Sequence, residues 1–115
     1  MGHIEKRKAV RVIVEVAAEI YTANEIIPAS TRNLSSEGVC LEGTKVLEEG
    51  STVGVSLFLT ADGIEDPDVE PVNIKADVIW CTETDEGNVL AGARFKDMAP
   101  QQTAIITSFL SAISQ

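Results

Sequence analysis

With 115 residues, 44% apolar and 23% charged, the chain is long enough for one packed core, too short for two, and too apolar for wholesale disorder. A formal net charge of -9 repels nucleic acid and anionic lipid over most of the surface, and no run approaches the roughly 18 apolar residues of a membrane helix. No charged-then-apolar secretory segment opens the chain, so a soluble cytoplasmic domain is expected.

Residues 1–11 have no apolar period and are expected to form a mobile basic arm, in which Met1-Gly2-His3 is compatible with a cloning remnant. Lys6, Arg7, Lys8 and Arg11 bring four of the nine cationic side chains into six positions. A local basic spot on an acidic protein favours a small anionic ligand. His3, the only histidine, stands in this arm without the partner that a general base or metal ligand requires.

From Val12 the chain alternates. Val12, Val14, Val16, Ala18 and Ile20 share one face of a half-buried strand, with Glu15 and Glu19 on the other. A turn at 21–25 leads into a second strand from Ile26, which runs into Thr31-Arg32-Asn33-Leu34-Ser35-Ser36-Glu37-Gly38. If the backbone stays extended there, Asn33 and Ser35 point the same way and offer an amide and a hydroxyl to a planar heterocycle. The same residue types also form a Ser or Asx turn with a glycine corner.

Val39-Cys40-Leu41 resumes extended structure, and a turn at 48–51 precedes a strand over 53–60. Residues 62–71 form an acidic loop whose spacing does not fit an EF-hand, so a solvated loop is expected rather than a calcium site. Val72, Ile74, Ala76, Val78 and Trp80 alternate in the next strand, which favours a core position for Trp80 over a ligand wall. A turn at 84–88 joins it to the last strand, carrying Val89, Ala91, Ala93 and Phe95. Cys40 and Cys81 match no metal spacing and read as reduced core thiols.

After Pro100 the period changes to that of an amphipathic helix over 100–114, with Ile105, Phe109 and Ile113 as its core stripe and Ile106 and Leu110 widening it. A stripe wider than a barrel end suits a homodimer or a protein partner as well as a monomer. Five or six short strands at this spacing followed by one helix predict an all-β, closed or nearly closed antiparallel barrel over 12–115 with a C-terminal α-helix.

Arg7-Lys8-Ala9-Val10-Arg11, followed after 21 residues by Asn33-Leu34-Ser35-Ser36-Glu37-Gly38, resembles the paired signature of the PilZ domain, Arg-x-x-x-Arg and then Asp or Asn-x-Ser-x-x-Gly. Trp80 and the Gly92-Ala93-Arg94-Phe95 stretch are similar to what that family shows before its C-terminal helix. The resemblance implies a stand-alone six-stranded PilZ-type β-barrel that binds the bacterial second messenger cyclic di-GMP and has no catalytic activity. Carried over, Arg7 and Arg11 would hold the phosphates and stack on guanine, since guanidinium is a planar donor fork. Asn33 and Ser35 would bond a guanine edge, Gly38 would keep the backbone clear of it, and Trp80 is a candidate wall beside a base. The position before the first Arg is Lys6, which keeps the charge but loses the planar fork of the Arg common there in members that bind a stacked ligand pair. The resemblance therefore leaves open whether one or two ligands bind.

The leading function is a receptor that passes the cyclic di-GMP signal to an unidentified protein partner in motility, pili, flagella or biofilm control. An adaptor of the same fold acting without nucleotide is the alternative. No nucleophile, base and orienting group can be assembled for an enzyme, and the aromatics are too few for an oligonucleotide-binding face. Neither a cofactor nor a metal is expected, and neither is direct membrane insertion.

Overall fold

The computed structural model describes residues 11–60 and 69–113. Seven antiparallel strands and one helix follow in order: β1 (Val12–Ile13), β2 (Ala17–Tyr21), β3 (Ile26–Leu34), β4 (Gly38–Gly43), β5 (Thr52–Leu57), β6 (Val72–Glu83), β7 (Val89–Lys96) and α1 (Pro100–Ile113). Strands pair in the order β3-β2-β5-β6-β7-β4, and the β3–β4 pairing closes this run into a six-stranded barrel. Closure leaves none of these six strands as an open edge. Of the arm expected over 1–11, residues 1–10 lie outside the described residues and only Arg11 is described; of the acidic loop expected over 62–71, residues 62–68 lie outside them.

β1 pairs with the same edge of β3 as β2 does, two residues matching Leu34 and Asn33. The strand expected over 12–20 is therefore interrupted at Val14-Glu15-Val16, although its inward face is the one the alternation indicates. Thr31 holds the interruption together. Its backbone N–H donates to the Val16 carbonyl at 2.9 Å, its hydroxyl accepts the Val16 N–H at 2.9 Å, and the same hydroxyl donates to the Val14 carbonyl at 2.5 Å. Thr31 is fully buried, so the hydroxyl replaces ladder bonds that water cannot supply there.

Two further irregularities shift the phase of side chains. The β3–β4 register slips between Thr31 and Asn33, and the β6–β7 register slips between Val78 and Trp80. Arg32 and Ile79 are the extra residues. Each bulge puts two successive side chains on the outer surface before alternation resumes. Trp80 consequently lies outside the barrel, 41% exposed, and Cys81 turns toward the core. The core position expected for Trp80 failed because an unbroken period of two was assumed across this bulge.

The core fills the barrel with alternating residues such as Leu34, Val39, Leu41, Val55, Leu57 and Val78. The loop between β4 and β5 contributes Leu47, whose N–H donates to the Cys81 sulfur at 3.3 Å, and the Glu49 carboxylate accepts the Cys81 N–H at 3.0 Å. Cys40, by contrast, is buried yet stands apart from the core cluster, since its neighbours Val39 and Leu41 take the inward positions. Of the two cysteines expected in the core, only Cys81 packs against it.

The chain leaves β7 through Asp97, whose φ of 54° lies in the left-handed region that Asp tolerates better than most residues. Gln102 then fixes the start of α1. Its side-chain oxygen accepts the Ala99 N–H at 2.9 Å, half of a capping box, while its amide nitrogen donates to the Asn73 carbonyl on β6 at 2.5 Å. Ile106 and Leu110 are the buried side chains of the helix, with Phe109 and Met98 packed at the margin. Ile105 and Ile113 are exposed. The expected stripe is thus rotated by about one residue, or about 100° around the axis.

Candidate functional site: the outer face of β3, β4, β7 and β6

Arg11 closes on Asn33. Its Nη1 donates to the Asn33 side-chain oxygen at 2.8 Å across 22 positions of sequence, so the end of the first motif and the start of the second meet. The β1–β3 pairing makes this possible, because Ile13 sits opposite Asn33 and brings Arg11, two residues earlier, over the outer face. Arg7 and Lys6 lie outside the described residues.

Asn33 begins a transverse row. Asn33 pairs with Cys40, Cys40 with Gly92, and Gly92 with Trp80, and directly paired residues project from the same side of a sheet. Both bulges end on this row, which is why Asn33 and Trp80 point outward. Three strand spacings separate the row's ends, about 14 Å. Between them the floor is a thiol and a glycine, both buried, with the Trp80 indole lying over the glycine.

Gly92 is the seat of the tryptophan. A Cβ at position 92 would lie 2.2 Å from the Trp80 Nε1 and 2.5 Å from its Cε2, so the indole rests on the bare backbone of β7. Gly38 serves a different contact: a Cβ there would lie 2.6 Å from the Ala93 carbonyl oxygen. Its lack of a side chain lets β4 approach β7.

Ser35 takes the turn reading. β3 ends at Leu34, so Ser35 does not share an extended face with Asn33. Its Oγ accepts the N–H groups of Glu37 and Gly38, each at 3.1 Å, and the Ser35 N–H donates to the Gly38 carbonyl at 2.9 Å. The residue is only 4% exposed. It shapes the corner between β3 and β4, where Glu37 is then held by its carbonyl accepting the Phe95 N–H at 2.9 Å.

Charge around the row is arranged rather than uniform. Arg32, extruded by its bulge, is paired with Glu42 at 3.0 Å, and the other Glu42 oxygen accepts from the Asn88 amide at 2.8 Å. Burial pushes the Cys40 thiol above its ordinary pKa, while the Arg32 and Arg11 guanidinium groups pull it down and Glu42 raises it. Both cations therefore act on the floor of the row. Gly92, Cys40 and the neighbouring Arg94 and Glu37 carried no site role in the sequence. The signal that could have found Gly92 is its register opposite the tryptophan in the β6–β7 hairpin. Among the described residues, no group of His, Cys, Asp and Glu side chains is arranged to hold a metal ion, and no helix is long and apolar enough to cross a membrane.

Solved structures with the same fold include YcgR from Escherichia coli in complex with c-di-GMP (15% identity, TM-score 0.75, covering 96% of this chain and 47% of that one). The Bacillus subtilis inhibitor of motility, MotI/DgrA, is similar at 15% identity and a TM-score of 0.71, covering 92% of this chain and 49% of that one. This chain spans about half the length of each. The isolated PilZ domain of Escherichia coli YcgR with c-di-GMP matches at 16% identity and a TM-score of 0.69, over 95% of both chains. At these identities the likeness is one of fold. Comparison with curated proteins gave no match. The sequence model of the PilZ domain matches residues 5–112, nearly the whole chain, and the protein belongs to the PilZ domain family.

Proposed function

We propose that this domain is a non-catalytic cytoplasmic receptor that binds cyclic di-GMP on the outer face of β3, β4, β7 and β6 and passes the signal to a protein partner. The observation that carries this reading is the 2.8 Å bond from Arg11 to Asn33, which joins the two halves of the motif at one end of the row. Arg11, with Arg7, supplies guanidinium groups for the phosphates; Asn33 keeps its amide donors for a base; Trp80 offers an aromatic wall; Ser35 and Gly38 hold the corner that presents Asn33. Lys6 adds charge beside Arg7. The two YcgR structures with c-di-GMP support the ligand by family membership, and the motility inhibitor from Bacillus subtilis supports motility as one output.

Titration calorimetry of the purified protein with cyclic di-GMP tests the reading and fixes whether one or two ligands bind per protomer. Saturable heat that is much weaker or absent with cyclic di-AMP is the expected outcome. No heat with cyclic di-GMP overturns the receptor and leaves the nucleotide-free adaptor as the account of the fold.

A further inference from the structure

The Arg11–Asn33 site has an imbalance of hydrogen-bonding groups. Guanine differs from adenine by presenting donors, N1–H and the 2-amino group, beside its O6 acceptor, so a site that selects guanine needs an acceptor facing those donors. Arg11 has only donors. The Asn33 oxygen is engaged by Arg11, and the Ser35 hydroxyl is engaged by two backbone N–H groups. On the same outer face, both Glu42 oxygens are taken by Arg32 and Asn88, and Asp77 is held by Thr52 and Lys96.

Glu37 meets the need. It sits in the motif turn, is exposed, and its carboxylate has no hydrogen-bond or ion-pair partner among the described residues. The turn opens onto a cavity of about 550 Å³ lined by Ser36, Glu37, Arg94, Phe95, Met98 and Thr103, within the range of about 300–1,000 Å³ typical of small-molecule sites. Arg94 pairs with Gly38 across the β4–β7 ladder and with Asp77 across the β6–β7 ladder, and lies two residues from the row's floor at Gly92. Its side chain makes no hydrogen bond or salt bridge among the described residues, its charge acting on the Asp77 carboxylate without direct contact. Phe95 and Met98 give the cavity an apolar side. A carboxylate, a guanidinium and an apolar wall are the set that a 6-oxopurine requires: the carboxylate accepts from N1–H and the 2-amino group, the guanidinium donates to O6 and N7.

We infer that this cavity is the base-specificity pocket of the domain, in which Glu37 reads the 2-amino and N1–H donors of one guanine and Arg94 reads its O6 and N7. The inference rests on the receptor reading above and adds to it the residues that choose the base. Nucleotide selectivity then resides in Glu37 and Arg94, while Arg11 and Asn33 supply anchoring common to cyclic dinucleotides.

A cycle of two ligands and two proteins tests this by calorimetry. The ligands are cyclic di-GMP and cyclic di-inosine monophosphate, which lacks only the 2-amino groups. The proteins are the wild type and Glu37→Ala. In the wild type, loss of the amine is expected to weaken binding about tenfold or more, the weight of a hydrogen bond to a charged acceptor. In Glu37→Ala the two ligands are expected to bind alike. Arg94→Met, as a second variant, should weaken both ligands by a similar factor, because both carry O6 and N7. Circular dichroism and melting confirm that each variant is folded, which the exposed positions of Glu37 and Arg94 favour. An amine penalty equal in wild type and Glu37→Ala overturns the pocket while the receptor stands. A wild type that binds neither ligand overturns both.

Discussion

Thr31→Val removes one oxygen from the interior and keeps the side-chain shape. The structure assigns that oxygen two bonds at the β1–β2 interruption, one accepted from the Val16 N–H and one donated to the Val14 carbonyl. Val16 is 1% exposed, so its N–H would lose its partner with no water to replace it, at about 1–3 kcal/mol; the carbonyl, only partly buried, adds about 1 kcal/mol. The expected loss is about 2–4 kcal/mol, or about 8–16 °C in the melting midpoint at about 4 °C per kcal/mol for a domain of this size. Thr31→Ser is the control, since it keeps the hydroxyl and loses one buried methyl, about 1 kcal/mol. Urea titration and thermal melting of the three proteins, followed by circular dichroism, give both values. Thr31→Ser falling below Thr31→Val would refute the reasoning, because packing of the methyl group would then outweigh the two hydrogen bonds. A consequence for the site follows: Arg11 is carried by β1, so Thr31→Val should also weaken ligand binding beyond what the melting shift implies.

The two outer-face glycines should respond differently to alanine. Gly38→Ala meets the Ala93 backbone oxygen, which cannot move without parting β4 from β7, and is expected to cost about 1–3 kcal/mol. Gly92→Ala meets only the half-exposed indole of Trp80, which can swing into solvent, so stability should fall by less than about 1 kcal/mol while the fluorescence of the sole tryptophan changes and cyclic di-GMP affinity drops. Equal melting midpoints for the two variants would contradict the assignment. The Asp77 carboxyl is held below its ordinary value of 3.8, chiefly by the Thr52 hydroxyl and then by Lys96. A depressed carboxyl stabilises the fold above its unfolded pKa and loses that contribution as pH falls through the folded value, so the melting difference between wild type and Asp77→Asn should be present at pH 7 and vanish in strong acid. A difference that grows toward acid pH would reverse this sign.

Strand positions were legible because a barrel buries one face of every strand, and that imposes a period of two from Val16 to Phe95. The helix was legible from Pro100 and the change of period, but its rotation was not, because Ile105 and Ile106 are equally apolar and only the barrel decides which is buried. The bulges at Arg32 and Ile79 were hidden for a related reason: one extra residue is set by pairing with a distant strand and leaves no local mark. They account for the misplacement of Trp80 and for the outward turn of Asn33. The motif halves were legible as residue types, and their meeting through Arg11 and Asn33 follows from the β1–β3 register, which spacing alone does not give. Ser35 illustrates the limit most plainly, since a hydroxyl on a face and a hydroxyl in a turn have the same sequence.

The most direct test of the central claim is calorimetric titration of Arg11→Ala with cyclic di-GMP, beside the wild type. Arg11 is exposed and its described bond is a single one to Asn33, so the ligand-free melting midpoint should move by less than about 2 °C, the scale of an exposed contact. Loss of a charged contact to phosphate, together with the anchor on Asn33, should lower affinity at least about 100-fold. Wild-type affinity in a folded Arg11→Ala protein would contradict the account, and collapse of its ligand-free fold would make Arg11 a part of the architecture instead of the site.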